Sequence, residues 1–292
     1  MFISSRHNDK RMGFLPQVSV SKALEFAFSF SFRNGAAIIA RIALPALARW
    51  MIFYFSLYLY LTELIRYLHN PSDRAASLVL GLATAGLLIS LFLHSIIVAA
   101  VTALAMGLED GGWKYFHARR REWRLYAANL RLLLVVGIWI AAIGGLQFSA
   151  NESSSGFNFA IVLYPLTLGG LAFLGIRIWF LTAPASLART QGKILRRSWE
   201  LSAGHFWRIA AILVPLLLLG GVVEATGELI LRAGAKFPPL PTSGLLIDYA
   251  LFYRSILPGV LAASSIGYLI SIVLLTTARV SIYRQLTDQT NH

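Results

Sequence analysis

Residues 75–107 read AASLVLGLATAGLLISLFLHSIIVAAVTALAMG, from Ala75 to Gly107, and hold no Asp, Glu, Lys or Arg; His94 is their only His. A helix at a water-facing surface sets a polar face against an apolar stripe, and this run has no charged face to offer. A membrane-crossing helix needs about 20 consecutive, mostly apolar residues. The run is longer than that, so it reads as a span that tilts or projects past the membrane on one side.

Working outward, five more stretches meet the same criterion: Gly35–Leu61, Leu132–Phe148, Phe159–Ala183, Ile209–Leu231 and Leu257–Val280. Composition agrees. The chain is 57% hydrophobic and 13% charged, against roughly 25% charged residues in soluble domains. In water, so little charge would expose large apolar patches. The expected fold class is all-α integral membrane, a single polytopic domain over residues 1–292. Its six transmembrane helices form three hairpins, each preceded by a cytoplasmic interfacial amphipathic helix. Met1–Pro16 is polar and lacks an apolar core followed by a small-residue cleavage site, so the first span is expected to act as an uncleaved signal.

Charge orients the spans. Eighteen of the 26 Lys and Arg fall on the side of the N-terminus. Five fall opposite, at Arg66, Arg74, Arg232, Lys236 and Arg254, and Arg41, Arg49 and Arg177 lie within spans. The excess marks the N- and C-terminal side as cytoplasmic, in a multi-pass protein of a bacterial inner membrane. The net charge of +13 is then accounted for by topology and anionic lipid, and no nucleic-acid partner is expected.

Two basic segments precede the third and fifth spans. Arg120-Arg121-Glu122-Trp123-Arg124-Leu125-Tyr126-Ala127 and Arg196-Arg197-Ser198-Trp199-Glu200-Leu201-Ser202-Ala203 share the pattern Arg-Arg-x-Trp-x-Leu-x-Ala. Each leads to another arginine, Arg131 or Arg208, and Lys22-Ala23-Leu24-Glu25-Phe26 before the first span is a weaker copy. They suggest repeats over 17–107, 114–183 and 189–282; any basic aromatic segment entering a membrane would look similar. Their physical role is plainer. Tryptophan sits at headgroup depth and arginine reaches phosphates. Arg119, Arg120, Arg121, Trp123, Arg124, Arg196, Arg197, Trp199, Trp207 and Arg208 therefore make a collar for anionic phospholipid headgroups of the bilayer or for a membrane-protein partner.

The stretch Arg177-Ile-Trp-Phe-Leu-Thr-Ala-Pro184-Ala185, followed by Arg196-Arg197-Ser198-Trp199-Glu200-Leu201 and Gly204-His205-Phe206-Trp207-Arg208, resembles the membrane domain of glycerophosphoryl diester phosphodiesterases. It is similar to the wider group of YciC-like bacterial inner-membrane proteins, and Phe32-Arg33-Asn34 before the first span fits the same group. The resemblance implies a six-span membrane module. It departs from the pattern at Leu187-Ala188-Arg189, where an acidic residue often follows the Pro-Ala step, and no soluble region is large enough for a catalytic phosphodiesterase domain.

Chemistry is sparse. The absence of cysteine excludes disulfides, thiolate metal sites and a cysteine nucleophile. The six histidines, His7, His69, His94, His117, His205 and His292, show no metal-ligand spacing. A phosphate-cradling glycine loop and a nucleophile elbow are both lacking. No enzyme, no metal and no cofactor are expected.

Ionisable residues inside spans are the remaining candidates. His94 is expected to hydrogen-bond a neighbouring carbonyl, and Arg177 to reach the cytoplasmic face. Glu224 and Glu228 share a helix face with Arg232, while Asp248 and Arg254 flank the start of the sixth span. Two readings follow. One is a non-enzymatic lipid-interacting or partner-scaffolding membrane module. The other is a small transporter or permease subunit with a polar site near His94, Arg177, Glu224 and Glu228, its helices broken at Pro45 or Pro215.

Overall fold

The computed structural model describes residues 18–70, 73–108, 120–152, 160–187, 194–234, 241 and 245–288. Arg119, Arg189, Lys236, His7, His117 and His292 lie outside the described residues, as do the side chain of Arg232, most of the loops 151–155 and 236–243, and the first residues of the three repeats. The described chain is helical: α1 (Val20–Arg33), α2 (Gly35–His69), α3 (Asp73–Ala105), α4 (Arg120–Glu152), α5 (Ala160–Leu174), a π-helical turn (Gly175–Trp179), α6 (Thr182–Leu187), α7 (Ile194–Ser202), α8 (Phe206–Gly234) and α9 (Leu246–Asp288). Six stretches are long and apolar enough to cross a membrane: Gly35–His69, Ala76–Ala105, Arg120–Ile143, Thr167–Leu187, Phe206–Ile230 and Leu246–Asp288. Their outward faces carry exposed Ile39, Leu47, Ile138, Leu218, Val222 and Ile266. Only a lipid solvent makes such faces tolerable.

Local sequence sets the breaks. The Ser19 hydroxyl caps α1 by accepting from the Lys22 N–H at 3.4 Å, and the helix ends at Asn34. Gly204 ends α7 in the left-handed region at φ 77°, where glycine carries no Cβ penalty. The related segment behaves differently. Where the Trp199 copy reads Ala203-Gly204-His205, the Trp123 copy reads Ala127-Ala128-Asn129. Alanine, the best helix former, lets α4 run unbroken from Arg120 to Glu152, so that basic segment is the first part of a span rather than a separate helix. Pro45, Pro215 and Pro258 lie inside continuous helices and interrupt none of them.

Helix α3 is the centre of the bundle. Of its most apolar window 61% is buried, against 17% in the α2 span and 11% in the α4 span. It packs most heavily on α2, while α8 packs on α9. The α8–α9 seam sets Gly220 and Gly227 of α8 against Ala263, Gly267 and Ser271 of α9, small residues that let the backbones close together. A Cβ on Gly220 would meet Ser271 Oγ, one on Gly227 would meet Ala263 Cβ at 3.3 Å, and one on Gly267 would meet Glu224 Cβ at 3.0 Å.

At the arginine-rich end, α1, α6, α7 and the ends of α3 and α9 converge. Every residue of α6 is buried. Arg284 Nη2 donates to the Ala105 carbonyl at 3.0 Å, supplying an orphan acceptor at the end of α3 with a partner. The Ser19 N–H donates to Gln285 Oε1 at 2.7 Å, tying α1 to the last turns of α9.

Candidate functional site

Five side chains form a ladder through the middle of this bundle. The Arg49 guanidinium of α2 sits 3.9 Å above the ring centroid of Tyr268 in α9. The Tyr268 hydroxyl and His94 Nδ1 share a hydrogen bond of 2.7 Å, so the histidine bonds a tyrosine and not a backbone carbonyl. The His94 ring lies nearly parallel to that of Trp179, with centroids 6.5 Å apart. The Arg279 guanidinium covers Trp179 at 4.2 Å and reaches Phe180 at 5.4 Å. Four elements thus meet at one place: α2, α3, the π-helical turn and α9.

The ladder is cationic without compensation. Arg279 is 2% exposed. Among the described residues neither Arg49 nor Arg279 pairs with a carboxylate, and Nε of each is buried with no hydrogen-bond partner. Taking an unpaired cation out of water costs several kcal/mol, and a desolvated cation–π contact returns about 2 kcal/mol. The balance leaves a positive potential that an anion would neutralise.

A cavity of about 460 Å³ opens beside the ladder, lined by Arg49, Ser90, His94, Asn129, Trp179 and Tyr268, with leucines of α3, α4 and α5 closing its wall. Asn129 Nδ2 donates to Ser95 Oγ at 3.0 Å, which leaves its buried Oδ1 without a donor. Across Arg49 and Tyr268 lies a larger groove of about 810 Å³, apolar over most of its length and formed by α1, α2 and α9 with Leu219 of α8.

A second constellation joins span four to α7. The π-helical turn replaces the i→i+4 ladder by longer bonds, with the Phe180 N–H donating to the Gly175 carbonyl at 2.9 Å. Such turns leave carbonyls short of partners and recur at functional sites. Here α7 supplies the missing donors. Ser198 Oγ donates to the Ile178 carbonyl, and Ser202 Oγ donates to the Arg177 carbonyl at 2.8 Å. Arg177 lies 4.3 Å above the ring of Trp199, which also meets Phe173 edge-on at 5.8 Å. The Arg177–Ala185 and Arg196–Ser202 stretches therefore interlock through Ser198, Trp199 and Ser202.

The collar residues are set outward in the main. Arg120, Trp123, Arg124, Arg196, Trp199 and Trp207 are exposed, while Arg121, Arg197 and Arg208 are half-buried. Arg196 pairs with Glu200 at 2.8 Å. Trp123 leans on Phe92 with centroids 5.0 Å apart. His205, at the α7–α8 joint, is buried, and its Nδ1 has no hydrogen-bond partner. Burial first, then the charge of Arg208, hold its ring below the ordinary histidine range.

His94 and Arg177, grouped with Glu224 and Glu228 as one polar site, do not share partners. His94 belongs to the ladder and Arg177 to the α7 contact. Glu224 is exposed on α8 beside Gly267, and Glu228 is half-buried on the same helix. Sequence reasoning missed Tyr268, Trp179 and Arg279 as members of the site. The available signal is Arg279 itself, a charge between Leu274–Ala278 and Val280–Ile282 that falls inside the sixth span, Leu257–Val280, although the charge count places it on the cytoplasmic side. Among the described residues no group of His, Asp and Glu could hold a metal. Comparisons with family models, with curated proteins and with solved structures give no match.

Proposed function

We propose that this protein is a non-enzymatic, lipid-interacting module of a bacterial inner membrane, with both termini in the cytoplasm and anionic phospholipid headgroups as its main contact. The observation that supports the reading is the shared outward display of Arg120, Trp123 and Arg124 on α4, Arg196 and Trp199 on α7, and Trp207 on α8. Tryptophan rings favour headgroup depth, and each basic residue near an anionic leaflet contributes about 1 kcal/mol. The Ser198 and Ser202 hydrogen bonds hold α7 against span four, so its arginines are presented from a fixed position.

Native mass spectrometry of the protein extracted with its own lipids tests this. Retained anionic phospholipid that is lost when Arg196, Arg197 and Arg208 become Ala is the expected result. A stoichiometric protein companion instead of lipid would move the reading to a partner scaffold. A bare monomer would overturn it.

One observation favours a second reading, a small permease: the cavity at Arg49 and His94 is lined by residues of α2, α3, α4, α5, the π-helical turn and α9. Proteoliposomes that pass an organic anion at a rate dependent on Arg49 would establish it.

A further inference from the structure

We propose that the cavity beside Arg49 is an intramembrane lipid site, separate from the interfacial collar. It takes the phosphate of a phospholipid whose headgroup also carries a hydroxyl or ammonium donor. No residue of the collar lines this cavity, so the site stands or falls independently of the proposed interfacial role.

Three observations converge on that chemistry. The first is the unanswered cation. Arg49 lines the cavity with its Nε buried and unbonded, and Arg279, wholly buried behind Trp179, adds a second positive charge without an acidic partner among the described residues. Guanidinium groups bind phosphate through paired, charge-assisted hydrogen bonds and are weakly enough hydrated to do so away from water.

The second is the unanswered acceptor. Asn129 lines the same cavity, and its Oδ1 is buried with no donor. A phosphodiester alone has no hydrogen to offer it. A headgroup with an O–H or N–H beside its phosphate satisfies Asn129 and Arg49 together, and a buried polar atom left unpaired is costly enough to select for that.

The third is the route. The outer wall consists of Leu132, Leu133 and Val136 of α4 with Leu171 and Leu174 of α5. Flanking residues Leu134, Ile138 and Leu168 are exposed on the outer surface. An acyl chain fits such a wall and a hydrated ion does not, which points to lateral access from the bilayer.

The test uses the full chain, purified in mild detergent and stripped of lipid, with native mass spectrometry as readout. Palmitoyl-oleoyl phosphatidylglycerol and phosphatidylethanolamine should each give one adduct at least tenfold tighter than phosphatidylcholine, whose headgroup has no donor. Arg49→Met should weaken that adduct at least tenfold. Asn129→Leu should abolish the discrimination against phosphatidylcholine. The triple substitution of Arg196, Arg197 and Arg208 to Ala should leave this adduct in place while removing weaker ones. Equal binding of the three lipids, or full retention in Arg49→Met, overturns the proposal. Displacement of the adduct by millimolar inorganic phosphate or glycerol phosphate would make it a soluble-anion site and overturn the lipid assignment. Should either variant fail to fold, photoreactive phosphatidylglycerol on the unmodified protein decides. Crosslinks in 132–136 and 171–174 support the site, and crosslinks confined to α7 and the start of α8 refute it.

Discussion

The Arg49 guanidinium lies 3.9 Å above the ring of Tyr268, and the hydroxyl of that same ring is bonded to His94. One tyrosine therefore holds a cation on its face and a polar partner at its tip. The geometry explains how a charge is tolerated in α2 without explaining why it is there, since a methionine would fill the place at no electrostatic cost. Replacing buried ionic groups by apolar ones of similar size is often neutral or stabilising by about 1–4 kcal/mol. Arg49→Met is accordingly expected to leave thermal stability in detergent unchanged or raised, while weakening binding at the cavity. A loss of several kcal/mol on thermal melting would mean the guanidinium serves the fold instead.

Ser198 and Ser202 are expected to matter more than their size suggests. Each hydroxyl donates to a carbonyl of the π-helical turn. Removing it leaves a buried acceptor unpaired, at a cost of about 1–3 kcal/mol. Ser198→Ala and Ser202→Ala should each lower the melting temperature. They should also release Trp199 from Arg177 and Phe173, read as a shift of its fluorescence in a background where the other tryptophans are phenylalanine. Unchanged emission in the double variant would show that α7 is held by its apolar contacts alone.

The spans were legible because a charge-free run has few other physical explanations. The 75–107 stretch, read as a single span, corresponds to α3 within a few residues. The break between α7 and α8 was present in the sequence as Gly204, and its absence before α4 as Ala128, although the two copies looked equivalent by their Arg and Trp pattern. The site was not legible. A helix apolar all round gives no periodic signal for the face that turns inward, so nothing in the sequence aims His94 at Tyr268 or Trp179 at Arg279. The expected grouping of His94 with Glu224 rested on depth alone, and depth does not set rotation about the helix axis. Nor did the prolines mark the discontinuity: α2 and α8 continue through Pro45 and Pro215, and the irregular turn lies at Gly175–Trp179.

The α8–α9 seam gives a paired prediction on adjacent residues. A Cβ at Gly220 would collide with Ser271, whereas one at Gly221 meets nothing within 4 Å. Gly220→Leu must push the helices apart, and overpacking of this kind costs roughly 1–3 kcal/mol. Gly221→Leu adds apolar surface on an exposed position and should fall within about 0.5 kcal/mol of the parent. Equal melting temperatures for the two variants would show that α8 and α9 do not pack through this face.

His205 gives the pH dependence. Its ring is buried at the α7–α8 joint and held below the ordinary histidine range by burial and by Arg208. The unfolded chain, with a histidine near pKa 6.5, then binds a proton at a pH where the folded protein does not. Stability contributed by the neutral ring is complete at pH 7.5, declines as the pH falls below the unfolded value, and levels off only once the folded ring is protonated as well. The melting temperature in detergent should therefore drop between pH 7.5 and 5. His205→Phe should reduce that drop. A second test separates charge from packing. Arg208→Gln removes the neighbouring cation and should raise the pKa of His205, which leaves the onset near the unfolded value, makes the loss level off at a higher pH and shrinks its amplitude without abolishing it, since burial is the larger cause. A profile unchanged by both substitutions would assign the acid sensitivity to another group.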